Sequence, residues 1–263
     1  MHDIAAHGRR NRVLRVLPDQ VYQAAVAELR PAELSVRQTL FEPDQPIDQV
    51  YFPLNAVASL VISMADGTAV ECATTGNDGM VGLPVFLGAR SLPMTCFTQV
   101  AGQALSMSTE AFRGLLADTD GPFAVALQRY TQTLFSQLAQ NVACNQLHTV
   151  EQRCARWLLM TADRVDTPHL QLTQEFLALM LGVRRASISQ VAARFAATGA
   201  LRYHHGVIEI LDRTRLEHAS CECYHAITSM LDRMLGDDTD TDTDTDTDTD
   251  TDTDTDGTLP RLR

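Results

Sequence analysis

The spacing of apolar residues changes several times along this chain, and each change predicts a different element. Val21, Ala24, Ala25, Val26 and Leu29 recur at helical spacing behind Pro18, which suits the first turn of a helix. The segment before it, MHDIAAHGRRNRV, is basic and is expected to fray. Between 36 and 108 the pattern becomes short and β-like. Val50 to Phe52, Ala56 to Met64, Thr68 to Thr74, Thr95 to Val100 and Gln103 to Met107 are rich in β-branched and aromatic residues, and Pro, Gly, Asn and Asp bound them. Asp66-Gly67 between two of these runs predicts a hairpin. Short strands at this spacing predict a small antiparallel β-roll.

Beyond the roll the pattern turns helical. Ser108-Thr109-Glu110 opens a short helix that ends near Asp118, and Gly121-Pro122 starts a long one. Along the long helix Leu127, Thr131, Leu134, Leu138, Asn141, Asn145 and His148 alternate spacings of four and three, a heptad-like seam with a polar second half. This reads as a dimer helix. The same helix could instead pack on its own roll through Phe123, Leu127, Tyr130 and Leu134. Residues 149–165 form another helix with Val150, Cys154, Trp157, Leu158 and Thr161 on one face, and Asp166-Thr167-Pro168 breaks it.

Leu172 to Leu211 organises the rest. Thr173 is an N-cap, and Phe176, Leu177 and Met180 give a short helix one apolar face. Gly182 turns the chain. A second helix from about Arg185 to Ala197 buries Ile188, Val191, Ala192 and Phe195 and presents Arg185, Ser189, Gln190 and Arg194 on its other face. Gly199 ends it, and Arg202 to Ile210 reads as two strands around a His-Gly turn. Two helices about a glycine turn, the second with an arginine-bearing outer face, describe a DNA-binding helix-turn-helix with a wing.

Charge alters this picture less than it first suggests. The net charge is −12, but residues 237–256 hold 11 of the 33 acids and no base; the other 22 acids against 21 bases leave −1. DNA binding must then rest on local placement of arginines, which supply every basic residue apart from histidine. The nine Thr-Asp repeats from Thr239 to Asp256 predict disorder. Such a tract can temper non-specific DNA contact, attract calcium, or have no role. Six cysteines are scattered, with only Cys221 and Cys223 close and no metal-finger spacing, so buried or free thiols in a reducing cytoplasm are expected and no metal site. No apolar run is long enough for a membrane span, and the N-terminus has no signal-peptide pattern. We expect a cytoplasmic protein. The glycine-rich bend Gly76 to Pro84 could cradle phosphate, but without an accompanying base it reads as a tight turn. A metal-dependent enzyme built on the roll is not expected, since no histidine lies between Val36 and Met107.

The order of leading helix, β-roll, long helix and winged helix-turn-helix resembles the Crp/Fnr family of bacterial transcription regulators, from about Pro18 to Tyr224. The resemblance is carried by His148 to Met160, by Leu172 to Ala178, by Leu181-Gly182-Val183-Arg184-Arg185 and, in the roll, by Gly79 to Pro84 with Phe86-Leu87-Gly88. It implies an α+β fold with five segments: an N-terminal arm and leading helix over 1–35, a β-roll effector domain over 36–120, a dimerisation helix over 121–148, a winged helix-turn-helix over 149–227 and a disordered tail over 228–263. It implies a homodimer on a near-palindromic operator, with double-stranded DNA and RNA polymerase as partners and no membrane. An architectural DNA-binding protein without an effector is the alternative. Thr173, Arg184, Arg194, His204 and His205 are then candidates for the phosphate backbone, Ser187 and Ser189 for phosphate or base edges, and Arg185 and Gln190 for the bases. In the roll, Gly79, Met80, Val81 and Gly82 with Arg90 and Ser91 are the candidate effector contacts.

Departures from the family pattern matter too. Cyclic-nucleotide binders carry a glutamate and an arginine followed by a small hydroxyl residue in this loop. Here Gly79 to Gly88 has neither acid nor arginine, and only Arg90-Ser91 lies nearby, so cAMP is not expected. No cysteine precedes Cys72, so an iron–sulfur cluster of the family's type is not expected either. Cys72 and Cys96 are the roll cysteines that a haem could use. In the second helix the usual Arg-Glu-x-x-x-Arg is replaced by Arg185, Ala186 and Gln190, which predicts a different half-site.

Overall fold

The N-terminal arm does not fray; it is built into the core. In the computed structural model, which describes residues 4–236 except 166 and 168, it forms α1 (Ile4–His7), a 3-10 turn at Gly8–Arg10, and α2 (Arg12–Arg15). Asn11 explains why. Its buried amide donates to the carbonyls of Pro53 and Gly79, at 3.0 and 2.7 Å, while its Oδ1 accepts from Val13 N and Leu14 N and so caps α2. Val13 and Leu14 are then fully buried. Basic residues dominate the composition of this arm, but two apolar side chains and one satisfied amide decide its fate. Helix α3 (Asp19–Glu28) follows.

The roll starts at Arg30 rather than at 36. Its strands are β1 (Arg30–Leu34), β2 (Thr39–Phe41), β3 (Gln49–Pro53), β4 (Val57–Ser63), β5 (Ala69–Thr75), β6 (Thr95–Val100) and β7 (Gly102–Ser108), with α4 (Leu83–Phe86) between β5 and β6. They form two antiparallel sheets, ordered β1-β7-β3 and β2-β6-β4-β5. The Asp66-Gly67 hairpin joins β4 to β5. Gly67 takes φ 85°, and Asp66 Oδ1 accepts from Thr68 N. Strands β1 and β2 lack the pattern of the others: β1 contains Pro31 and two charges, and β2 is only three residues long.

Helix α5 (Thr109–Leu115) leads into the long α6 (Pro122–Leu147), and α7 (Val150–Ala162) starts at a capping box formed by Thr149 and Gln152. The Asp166–Pro168 break falls at positions of which 166 and 168 lie outside the described residues. Then come β8 (His169–Gln171), α8 (Gln174–Met180), α9 (Arg185–Ala197), β9 (Leu201–His204), β10 (Val207–Ile210), α10 (Arg213–Ala219) and α11 (Cys223–Leu235). Strand β10 pairs with both β8 and β9, so the wing is a three-stranded sheet.

Two apolar cores result. One joins the roll to α2, α5 and the first half of α6, with Phe52, Phe112, Phe123 and Leu127 at its centre. The Phe112 and Phe123 rings meet edge to face at 5.9 Å, a geometry that adds about 0.5–1.5 kcal/mol to burial alone. The other joins α7 to the helix-turn-helix and wing, and includes Val61 of the roll. Helix α11 serves both. Tyr224 and Ile227 belong to the second core, and Leu231 and Leu235 to the first. Residues 228–235 are therefore packed helix, not the start of a disordered tail. The Thr-Asp run itself lies outside the described residues. Among the described residues no single helix is long and apolar enough to cross a membrane.

The long helix is rotated from its expected seam. Leu127 and Cys144 are fully buried. Asn141 donates to Cys72 O at 2.8 Å and accepts from Arg156 at 2.8 Å, so it is committed within the chain. Phe135, Val142 and Leu147 are instead exposed, at 68%, 66% and 78%. Phe135 and Val142 lie one residue beyond Leu134 and Asn141 of the expected seam, about 100° around the helix axis, and Leu147 lies apart from them.

Candidate nucleic-acid interface

The helix-turn-helix forms as its spacing predicts. Thr173 Oγ1 accepts from Phe176 N at 3.1 Å and caps α8. Gly182 adopts φ 62° in the turn, and the chain bends by 113° between α8 and α9. Ile188, Val191 and Phe195 point into the core with at most 2% exposure. With that face fixed, Arg184, Arg185, Ala186 and Gln190 are exposed on the outer side of the first turns of α9, and Ser187 is half-buried beside them.

Two expected contacts are already engaged. Ser189 Oγ donates to Gln174 Oε1 at 2.6 Å, tying α9 to α8. Arg194 pairs through Nε with Glu151 of α7 at 2.7 Å. Both side chains brace the helices against one another, and a sequence pattern carries no sign of that partnering.

The wing turns at His205 and Gly206, with φ of 46° and 79°. Two successive left-handed residues are the two-residue hairpin geometry that matches strand twist. The exposed His204 and His205 rings lie 3.9 Å apart. Tyr203 Oη accepts from Gln174 N at 3.0 Å and anchors the wing to the start of α8. Between them lies a groove of about 460 Å³ lined by Thr173, Gln174, Glu175, Arg185, Tyr203, His205 and Gly206. The Thr173 hydroxyl, Arg185 and His205 converge there beside Glu175, while the Gln174 and Phe176 N–H groups are already bonded to Tyr203 and Thr173. That donor set suits a phosphate-bearing backbone.

Helix α8 also touches the roll. Phe176 of α8 meets Phe97 of β6 edge to face at 6.2 Å. A cleft of about 840 Å³, bounded by Arg37, Thr39, Thr95 and Phe97 on one side and Phe176, Leu179 and Arg185 on the other, runs beside this contact. Arg185 thus borders both the groove and the cleft. Deeper in, Trp157 Nε1 of α7 donates to Glu71 Oε1 of β5 at 2.7 Å, and Ser59 Oγ donates to Glu71 Oε2 at 2.8 Å. Burial raises the Glu71 carboxyl to about 7, outweighing the Trp157 and Ser59 hydrogen bonds and the charges of Arg164 and Arg156.

The candidate effector loop is filled by its own chain. Met80 and Val81 are 2% and 4% exposed. Gly79 lies directly under the Tyr130 ring, where a Cβ would clash. Tyr130 Oη donates to Met80 O at 3.2 Å and lies 3.1 Å from Thr75 Oγ1, and burial pushes its phenol up. Asp78 is locked to Arg164 by a buried ion pair of 2.6 Å, and Arg164 also donates to Thr74. Gly82 takes φ 96° as α4 begins. Arg90 is exposed and Ser91 half-buried on the stretch after α4, and neither bonds to the loop. Asn11, Asp78 and Arg164 were not singled out from sequence, and Tyr130 was read only as an inward-facing residue of the long helix. Their partners lie far along the chain, and only the buried polar residue types hinted at them. Cys96, one of the two haem candidates, is sealed in the core, where burial pushes its thiol up to about 12.

A second grouping escaped the cysteine spacing altogether. Cys144 and His148, one turn apart at the end of α6, meet Cys221 and Cys223 at the start of α11. Their ligating atoms all lie within 4.8 Å of one another, and the cysteines are free thiols.

Comparison with known proteins agrees with this geometry. The Crp-like helix-turn-helix domain profile matches residues 152–219. The CRP-like cAMP-activated global transcriptional regulator of Mycobacterium tuberculosis is 27% identical over 202 residues, covering 73% of this chain and 89% of that protein. Among solved structures, a regulator of the Crp/Fnr family from Eubacterium rectale superposes with a TM-score of 0.60 at 18% identity, over 79% of this chain and 96% of the other. FixK2 from Bradyrhizobium japonicum gives 0.62 at 16% identity, over 73% and 98%.

Proposed function

We propose that this chain is a transcriptional regulator of the Crp/Fnr family and that it binds a near-palindromic operator as a homodimer, each α9 reading the major groove of one half-site. The observation that carries this is the outer face of α9. Arg184, Arg185, Ala186 and Gln190 are exposed over a buried apolar face, with the wing beside them. Arg185 is the guanine reader and Gln190 an adenine reader. Ala186 offers at most a methyl contact to thymine. Arg184, Thr173 and Ser187 hold phosphates, and His204 and His205 meet the backbone at the wing. Ser189 and Arg194 act indirectly, by fixing the helices that carry the readers.

The exposed Phe135 and Val142, seven residues apart on one face, support a parallel second copy on α6. RNA polymerase is the partner that a promoter-bound dimer meets. The packing of α8 against β6 supports control by the roll, since movement there reaches the readers directly. Tyr130 over Gly79 favours a reading in which the family's roll loop holds no small ligand in this chain, so that DNA binding is constitutive or is governed elsewhere.

Selection of bound sequences from a random duplex library tests the proposal. The expected half-site has one guanine position governed by Arg185, and Arg185→Ala should cost about 1–3 kcal/mol and relax preference at that position alone. Equal weakening on every sequence makes Arg185 a phosphate contact instead. Shift assays on the selected site with cyclic mono- and dinucleotides separate the constitutive reading from an effector-driven one.

A further inference from the structure

The structure assigns a zinc site to Cys144, His148, Cys221 and Cys223. A tetrahedral ion with metal–sulfur bonds of about 2.3 Å sets its thiolates about 3.8 Å apart. Here Cys144 Sγ and Cys221 Sγ are 3.6 Å apart, and Cys223 Sγ and His148 Nδ1 are 3.5 Å apart. With all four ligating atoms inside 4.8 Å, one ion fits, whereas a multi-iron cluster needs its thiolates spread over several metals. Three sulfurs and one imidazole are a soft donor set of the structural zinc type, and four protein ligands leave no open position for chemistry.

The surroundings are built for it. His148 faces Cys223 through Nδ1, while its Nε2 lies 3.2 Å from Glu222 Oε1. A carboxylate on the far nitrogen fixes the tautomer that leaves Nδ1 free to bind. Gln140 Nε2 donates to Cys223 Sγ at 3.0 Å. Zinc binding displaces the protons of three thiols to solvent and transfers no electrons. The resulting centre carries one net negative charge. Arg153 and Arg156 stand close enough for their charges to act on Cys144. Each also has a buried Nε without a hydrogen-bond partner among the described residues. Both positive charges would favour an anionic metal centre there.

The position gives the ion a task. His148 is the residue between α6 and the capping box of α7, so it marks the pivot where the DNA-binding module leaves the long helix. Cys221 and Cys223 lie where the chain leaves that module for α11. One ion would pin both connections at the same place.

The test uses the full chain, produced with zinc supplementation and purified in a thiol reductant without chelator. Elemental analysis should find one zinc per chain. Protein stripped of metal and titrated with Co²⁺ should develop the thiolate charge-transfer absorption and the intense visible bands of a tetrahedral ion. Cys221→Ser and Cys223→Ser should lose the metal, and Cys154→Ser, which removes a buried cysteine outside the cluster, should keep it. Glu222→Gln should keep the stoichiometry but weaken retention against a competing chelator by about tenfold. The cobalt titration of the unaltered chain decides the matter even if the serine variants misfold. Wild-type protein with background zinc and no tetrahedral cobalt spectrum overturns the assignment. So does a Cys144–Cys221 disulfide that, once reduced, still binds no metal, or full zinc retention in the Cys221→Ser/Cys223→Ser double variant.

Discussion

Glu71 shows how one side chain can set the response of a contact to pH. Its carboxyl rises from an ordinary 4.5 to about 7 because burial opposes its charge more strongly than Trp157, Ser59 and the nearby arginines favour it. Between these values the folded chain holds a proton that the unfolded chain has released. The stabilising contribution is complete below about 4.5 and is lost as pH rises through about 7. Glu71 borders a cleft between roll and helix-turn-helix, so solvent relieves part of the penalty. Thermal unfolding should show a pH-dependent loss of about 1–3 kcal/mol across that window, and Glu71→Gln, which keeps the acceptor for Trp157, should flatten it. An unchanged slope in the variant would place the titration elsewhere. Ser189 offers a contrast at the same scale. Its hydroxyl is spent on Gln174, so Ser189→Ala should cost about 1 kcal/mol of stability in denaturant unfolding and leave the selected operator sequence unaltered. From sequence, Arg185, Gln190 and Ser189 look alike, all on the polar face of one helix. Only the partner 15 residues away separates them.

At the scale of elements, α9 and the wing were legible because their signals are local. Apolar residues at helical spacing and a His-Gly turn need no distant partner to be read. The long helix α6 was legible, but not which of its faces packs on its own chain. A four-three spacing fits two neighbouring stripes equally well, and the choice fell to Asn141, whose partners come from β5 and α7. The phase can be tested. Phe135→Asp with Val142→Asp should weaken self-association at least about 100-fold, since each buried apolar side chain contributes about 1.5–3 kcal/mol. Sedimentation equilibrium measures this. The unfolding midpoint of the monomer should barely move, because both residues are exposed. Cysteine spacing failed for a related reason. Cys144 and His148 sit one helical turn apart, and Cys221 and Cys223 lie 77 and 79 residues beyond Cys144, in a pattern unlike any finger.

At the scale of the molecule, charge is partitioned. With residues 237–256 set aside, the net charge moves from −12 to −1, as 11 aspartates leave with them. Deleting that run should tighten binding to non-specific duplex at low salt, with the two curves converging as salt screens the run. Fluorescence anisotropy across a salt series checks this, and coincident curves at low salt would remove any part for the run in DNA binding. The fold class and the order of parts were readable along the whole chain. The burial of the N-terminal arm and the course of α11 were not, because both depend on surfaces that exist only after the roll has closed.

That course has a mechanical result. The segment carrying α8 and α9 leaves the long helix at His148 and returns along it through α11, whose Leu231 and Leu235 are held in the first core and whose Asp232 pairs with Arg12 at 2.5 Å. The head of this regulator is thus tied to the long helix at both of its ends, and cutting the chain before α11 would leave it tied at one.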